Sequence, residues 1–466
     1  MHHKAVENKN LYILSSLVSI LFWFLAYLRH FLLQSNGYDL GLFDQWIWLA
    51  SKGFPPYSTM SGLHLLADHG AWLLYIPVFL YKLLPSIHWL FLSQAIALSF
   101  TVIPLSKLCD EIGLSRRKIW LISILWWLQP VVFNVNLFDF HPEVWIIPVV
   151  VYSYIASYKN QYFKWMILNF IILGARDGLV LLILGMGIEQ FLRKRYLWSI
   201  SAVTLASFWL YFLNNILYPS LNLNEEGILA VGNHFANLGN SLNEIIISFF
   251  TKPILLINII DVEGSIFYLF ILCLPFIFFW ERKSFITLSA SLPLLAVNIV
   301  SESFSFRTLI HHYSLPIAVI GTIAAIEGIK RKEYSVNNFR LYIIWISLCW
   351  ACLAKPTFFL GQYLSRINII TEVNQSIALI SNNSKVLTTS YIVPHLTKRK
   401  VINWAKSKDQ EINDYDVLLL NPNDPGWEST KEIQNYHIEN SISNGWECKV
   451  WESSLHLCMK PNKYSD

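Results

Sequence analysis

The sequence predicts an all-α polytopic membrane protein of about eleven spans, with a small α/β soluble domain at its C-terminal end. Three observations lead there. Charged residues make up only 14% of the chain, against 54% hydrophobic, where a soluble domain carries about 25% charged residues. Apolar runs of spanning length recur between residues 11 and 360. After residue 361 they give way to short β-like runs divided by turn residues. Aromatic residues are 15% of the chain, with 19 Trp, as suits a protein with many rings at headgroup level. The net charge of +4 is modest and gives no reason to expect a nucleic-acid partner.

The N-terminus, MHHKAVENKN, leads into an apolar run from Leu11 to Leu28 with no small-residue cleavage site after it, so an uncleaved signal anchor is expected. Spans are expected near 11–34, 86–106, 119–136, 144–158, 163–176, 178–192, 197–216, 264–280, 285–300, 310–328 and 340–360. The fifth and sixth fall short of the roughly 20 residues a full span needs. They meet at Ala175-Arg176-Asp177-Gly178, which puts charge at their junction. The stretch 70–84 is also apolar but holds Pro77 and Lys82 and ends at Pro85. Periodicity alone does not say whether it crosses.

Charge decides that point. With 70–84 at the interface and the N-terminus cytoplasmic, the inner segments 1–10, 107–118, 159–164, 193–195, 281–283 and 329–340 carry 17 Lys and Arg. The outer loops before the tail carry 5: Lys52, Lys82, Arg176, Lys252 and Arg307. That is the asymmetry of the positive-inside rule. The outer face is instead acidic, with Asp39, Asp44, Asp68, Asp139, Glu143, Asp177, Glu225, Glu226, Asp261, Glu263 and Glu302, so function is expected on that side.

The tail, residues 361–466, contains VLTTS, KVINW and DVLLL as β-like runs and a turn cluster beginning at Asn421. An odd number of spans places it outside. Of the six cysteines, Cys349 and Cys352 lie in an apolar helix and read as packing residues. They form a C-x-x-C, but no second Cys pair or His pair stands at zinc-ligand spacing. Cys448 and Cys458 are ten positions apart; a hairpin turning near 452–454 would let them bridge, and reduced packing fits the sequence as well.

Five polar clusters fall on the expected outer side. The first, NGYDLGLFDQW, holds Asp39 and Asp44: a carboxylate there can act as a base, or Asp39 can cap an interfacial helix running from Leu40 to Ser51. Asp68-His69 stands before the 70–84 segment; alone it is a weak signal, which a helix-capping Asp explains. NLFDFHPE brings Asp139, His141 and Glu143 into one turn, where a His can relay a proton or share a metal with a carboxylate. Arg176-Asp177 is a charged pair within apolar sequence, costly at membrane depth unless paired or used. RTLIHHYSLP supplies Arg307, His311, His312 and Tyr313, suited either to a phosphate or to headgroup anchoring. Random decoration would spread such clusters over both faces.

At these motifs the chain resembles a family of bacterial membrane proteins of unknown function, frequent in cyanobacteria. YDLGLFDQ (38–45), ADH (67–69), NLFDFHPE (136–143), ARDG (175–178) and HHYSLPI (311–317) carry the resemblance, with TTSYIVPHLTKR (388–399) and DYDVLLL (414–420) in the tail. That family looks like a branch of the GT-C glycosyltransferase superfamily, so a GT-C-like fold over residues 1–360 is implied. Those enzymes move a sugar from a polyprenyl-phosphate carrier to a lipid or protein acceptor at the outer face.

The resemblance implies Asp39 as base, favoured over Asp44 because Asp39 leaves about four helical turns before Gly53 and Asp44 about two and a half. Asp44 and the Asp139/His141 pair would position acceptor or base. His69, Arg176, Asp177, Arg307 and His311 would bind substrate, with Arg176, Arg307 and His311 on the lipid phosphate. Relatives tend to carry two acids after the basic residue where this chain has Arg176-Asp177-Gly178, which weakens a metal or base role there. The expected partners are a lipid-linked sugar donor and membrane lipid. The reaction calls for no cofactor, and there is no glycine-rich phosphate loop, although the acids leave room for a divalent metal. Two rivals stand beside it: a non-enzymatic lipid or glycan transporter, which normally shows repeated halves absent here, and a cell-envelope sensor or scaffold. The sequence carries no signal for oligomeric state.

Overall fold

The computed structural model describes residues 2–221, 234–235, 237–239, 242–331 and 339–461. Glu225 and Glu226, expected on the outer face, lie outside the described residues. The molecule is mostly helical, with one small sheet near the C-terminus.

A helix stands at each expected span. α1 (His2–Phe31) carries the first apolar run and ends on Arg29 and His30. α5 (His88–Phe100) and α6 (Val102–Ile112) cover the second, α7 (Arg116–Trp127) and α8 (Pro130–Phe138) the third. α9 (Ile147–Tyr158), α10 (Tyr162–Leu173), α11 (Val180–Leu192) and α12 (Tyr196–Phe212) follow, then helices Val262–Cys273, Leu292–Val300, Leu315–Arg331 and Phe339–Leu353. Among the described residues five segments are long and apolar enough to cross a membrane: Lys9–Phe31, His88–Ile112, Arg116–Phe138, Tyr196–Ser220 and His312–Arg331. The stretch Trp72–Leu83 is helical but short, about 18 Å at 1.5 Å per residue. Its main helix, α4 (Ile76–Leu83), packs on α2 (Leu42–Ser51).

The segments expected on the cytoplasmic side meet at one end of the bundle. Lys118 donates to the carbonyl of Ile329 and Lys330 to that of Ile112. Arg195 donates to Ser157 O, and Arg193 bridges Glu189 and Glu327. The motif-bearing loops gather with the tail.

The tail folds as a five-stranded sheet of order β2-β1-β3-β5-β4. β1 (Val386–Thr388), β2 (Ile402–Trp404) and β3 (Val417–Leu420) run parallel, and β4 (Glu447–Val450) and β5 (His456–Met459) form an antiparallel hairpin. All three β-like runs of the sequence thus became strands. Alternation along them divides the core. Val386, Val417 and Leu419 face the large core shared with the bundle; Leu387, Leu418 and Leu420 face helix Lys431–Ser443. Cys448 lies opposite Cys458 in the hairpin and is disulfide-bonded to it. The expected domain boundary at 360 falls inside helix Pro356–Ser365.

Candidate functional site

Asp39 is carried by a five-residue π turn, Gly37–Gly41, and not by the helix that follows. The side chain of Asn36 accepts from Tyr38 N and starts the turn. Gly37 N donates to Ser390 O, 3.0 Å away in the tail. A Cβ on Gly37 would stand 3.1 Å from that carbonyl and 3.0 Å from Val393 Cβ, tighter than ordinary contact, so glycine lets turn and tail meet without displacement. α2 then runs to Ser51, with Gly53 at φ +76° just beyond. Asp39 does not cap this helix: the cap position is Gly41.

Five ionisable groups converge beside this turn. The Asp39 carboxylate stands 3.6 Å from His141 Nε2, an ion-pair distance. The His141 and His312 rings stack at 4.1 Å. His312 Nε2 is 2.6 Å from Arg176 Nη1, which also donates to Glu143 Oε1 at 2.5 Å. Burial pushes the Asp39 pKa up, but the His141 imidazole and the nearby His311 and Arg29 outweigh it and hold the carboxyl below its usual range. For His141 burial pushes down, yet Asp39 and Glu143 leave its pKa raised. His312 is buried beside His141 and Arg176. Glu143 is buried too, but Arg176 and His141 keep it low. The Arg176 guanidinium remains 21% exposed, enough to meet a ligand.

A second cluster lies against the first. His69 stands 3.2 Å from Asp68 and 3.3 Å from Asp177. Tyr218 donates to Asp177 at 3.2 Å. Burial and Arg176 push His69 down, but its two carboxylates leave its pKa raised. Asp68 is no cap: its helix, α3 (Leu65–His69), is capped by the ring of His64.

Both clusters line one cavity of about 790 Å³. Asp39, His69, His141, Arg176 and Asp177 all contribute, joined by Glu143 and His312. From this charged end an apolar wall continues along Leu184 and Ile188 of α11, Leu210 of α12 and Val297 of helix Leu292–Val300. The arrangement can hold an anion at Arg176, take a proton at Asp39 and receive an apolar chain along the wall.

Four expected site residues do not line this cavity. Asp44 is buried in α2, accepting from Tyr81 at 2.5 Å and from Thr397 of the tail; burial pushes its pKa up against both bonds. Asp139 is ion-paired with Arg29 and accepts from Asn36 N. Its backbone sits at φ 151°, ψ −174°, a region used almost only by glycine and costing about 1–3 kcal/mol. Gln94 helps to hold it there by donating to its carbonyl. Arg307 turns inward onto the carbonyls of Asn298, Ile299 and Ser301. His311 bonds Thr308 and packs on Phe138. Asp139 therefore shapes the turn that presents His141, and Arg307 and His311 support the loop that presents His312. Of the cavity groups beyond the expected set, Glu143 and His312 sat inside the motifs already noted. Tyr218 carried no sequence signal. Among the described residues, no group of three His, Cys, Asp or Glu is placed to hold a metal ion.

No curated protein matches the chain in sequence. Among solved structures, the chain is similar to the crystal structure of ArnT from Cupriavidus metallidurans bound to undecaprenyl phosphate. The TM-score is 0.51 at 9% identity, over 97% of this chain and 98% of that one. The same protein in its apo state gives 0.49 at 10% identity, over 94% and 97%. At 9% identity the first likeness is one of fold alone. The family model described as "Predicted membrane protein (DUF2079)" matches residues 29–457. It takes in every motif, most of the bundle and the tail, and the chain therefore belongs to the DUF2079 family of membrane proteins.

Proposed function

We propose that this protein transfers a sugar from a polyprenyl-phosphate carrier to a lipid, glycan or protein acceptor at the outer membrane face. The observation that carries the reading is one cavity joining a charged end, with Asp39, His141 and Arg176, to a long apolar wall. A polyprenyl phosphate has that same division into an anionic head and an apolar chain. The likeness of fold to ArnT, crystallised with undecaprenyl phosphate, supports the same choice.

In this reading the carrier phosphate lies against Arg176 and the prenyl chain along α11 and helix Leu292–Val300. The acceptor hydroxyl oxygen attacks the anomeric carbon from the side opposite the phosphate, and Asp39 takes its proton. The carbon–oxygen bond to phosphate breaks, and the electron pair leaves with the carrier. Arg176, fixed by Glu143, stabilises the phosphate charge as the bond lengthens. His141 holds Asp39 ionised and aimed. His69, between Asp68 and Asp177, positions substrate on the far side of Arg176. Asp44, Asp139, Arg307 and His311 act through the elements they hold. The eleven helical segments would each cross the bilayer, with the N-terminus cytoplasmic and the tail outside.

The test uses purified full-length protein and undecaprenyl phosphate. The ligand should raise the melting temperature of the wild type, and Arg176→Ala should lose most of that rise. No rise in the wild type, or an equal rise in Arg176→Ala, would overturn the placement. Mass-spectrometric profiling of glycans and lipid carriers in a deletion strain and its parent should then show a missing glycosylated product and an accumulated carrier-linked sugar.

A further inference from the structure

Tyr38 and Trp427 are large aromatic side chains left 45% and 42% exposed. They come from opposite ends of the chain, yet their ring centroids are 5.2 Å apart. Trp404, at the carboxyl end of β2 and almost wholly buried, stands 6.3 Å from Tyr38 and 5.8 Å from Trp427 and backs both. Tyr38 is the neighbour of Asp39 and lines the same cavity.

The turn that presents Trp427 is built closely. Trp427 N donates to Ser390 Oγ at 2.8 Å. Gly426 before it has φ +76°, and a Cβ there would lie 2.4 Å from the same oxygen. Glu428 after it holds φ 52°, uncommon for a non-glycine residue. Lys406 and Glu428 are both exposed beside these rings, and Lys406 Nζ sits 4.9 Å over the Trp404 ring. The group occupies the carboxyl ends of parallel strands, where open α/β sheets bind ligands.

An exposed pair of rings edged by charged hydrogen-bonding groups suits a ligand with one apolar face and a polar rim. A pyranose has both: axial C–H bonds on one face and hydroxyls round the edge. A membrane surface suits it less. The turn runs Asp424-Pro425-Gly426-Trp427-Glu428, and acids beside the ring would be repelled by an anionic bilayer.

We propose that Tyr38 and Trp427, backed by Trp404, form a saccharide-binding platform at the cavity mouth, on which a sugar ring of the acceptor stacks with its hydroxyls toward Lys406 and Glu428. The assignment to the acceptor rests on the transferase reading above. The platform places an acceptor sugar one residue from Asp39 and makes the tail a contributor to acceptor choice.

The test is saturation-transfer NMR on full-length protein in a detergent without a sugar headgroup. The probes are cellobiose, maltose and N,N′-diacetylchitobiose. At least one should bind saturably, its axial C–H protons receiving most saturation. Trp427→Leu, which keeps apolar bulk but removes the ring, should weaken binding about tenfold, equivalent to ~1.4 kcal/mol, with an unchanged melting temperature. Trp427→Phe should largely restore it. Binding by none of the three sugars, or equal binding by Trp427→Leu, would overturn the proposal. So would a Trp427→Leu variant whose only loss is association with phosphatidylglycerol vesicles, which would make the rings a membrane anchor. Arg176→Ala should bind the sugar as the wild type does. A wild-type protein that binds a sugar but whose melting temperature undecaprenyl phosphate does not raise would overturn the donor site and leave the platform standing.

Discussion

Asp39 and Asp44 stand five residues apart in one motif but meet different surroundings. Asp39 faces the cavity beside His141, and Asp44 is enclosed by Tyr81 and Thr397. Asp39→Asn should therefore abolish transfer by about 10²–10⁴-fold, as expected for loss of a general base, with the fold intact. Asp44→Asn should act on stability, costing about 1.5–3 kcal/mol for hydrogen bonds to a buried charged group. Product formation and thermal melting measured on both variants check this; an activity loss in Asp44→Asn larger than in Asp39→Asn would reverse the roles. The sequence showed both acids and gave no sign of which was enclosed, because Thr397 lies far along the chain. The same distance hid that His312 and not its neighbour His311 meets Arg176, whose place far back in the chain the local pattern does not show.

The Asp39–His141 pair also has a pH signature. His141 titrates above 6.5 in the folded protein, so its contribution to stability is full below pH 6.5 and is lost as pH rises through the folded value. Asp39 titrates below 3.8, so its contribution is present above pH 3.8 and is lost as pH falls through its folded value. The stability gap between wild type and Asp39→Asn should thus be widest between pH 3.8 and 6.5 and narrow above it. NMR titration of His141 should show its midpoint fall in Asp39→Asn. An unmoved midpoint would separate the two residues.

Among the elements, the π turn Gly37–Gly41 has most resting on it. Gly37→Ala would place a methyl against Val393 and the Ser390 carbonyl. It should destabilise by about 1–3 kcal/mol, the usual cost of overpacking, and lower transfer more than that loss explains, because Asp39 moves with the turn. Melting temperature and product formation, read together, test it; normal activity would show that the turn tolerates displacement. The helices were legible from apolar runs, and the strands β1, β2 and β3 from β-branched and aliphatic residues between turn signals. The turn was legible only as two glycines flanking an acid. The tail carbonyl that accepts from Gly37 N lies far along the chain, out of reach of any local pattern. Asp139 is similar: its strained backbone is imposed by Arg29, Asn36 and Gln94 together, and no local pattern announces it.

Across the whole molecule, charge orders the ends. The basic segments gather at one end through contacts such as Lys330 to Ile112, and the acidic motifs meet the tail at the other. Reporter fusions at residues 112 and 400 should therefore fall on opposite sides of the membrane, with 112 cytoplasmic. Equal sides would divorce the cavity from the outer face. The mostly helical character and the small C-terminal sheet could be read from composition because lipid exposure taxes every polar residue. How closely the tail packs on the first outer loop could not, since that contact is made by ordinary residues such as Gln45, Thr59 and Arg399.

That contact has a consequence for how the protein is made. The turn bearing Asp39 emerges from the ribosome with the first tenth of the chain, but the Ser390 carbonyl that braces it comes more than three hundred and fifty residues later. Until then the nascent chain can insert its helices without holding a finished site. On the topology and reaction proposed above, competence would arrive in one step, when the last domain crosses the membrane and docks, and partly translated chains would lack the proposed transfer.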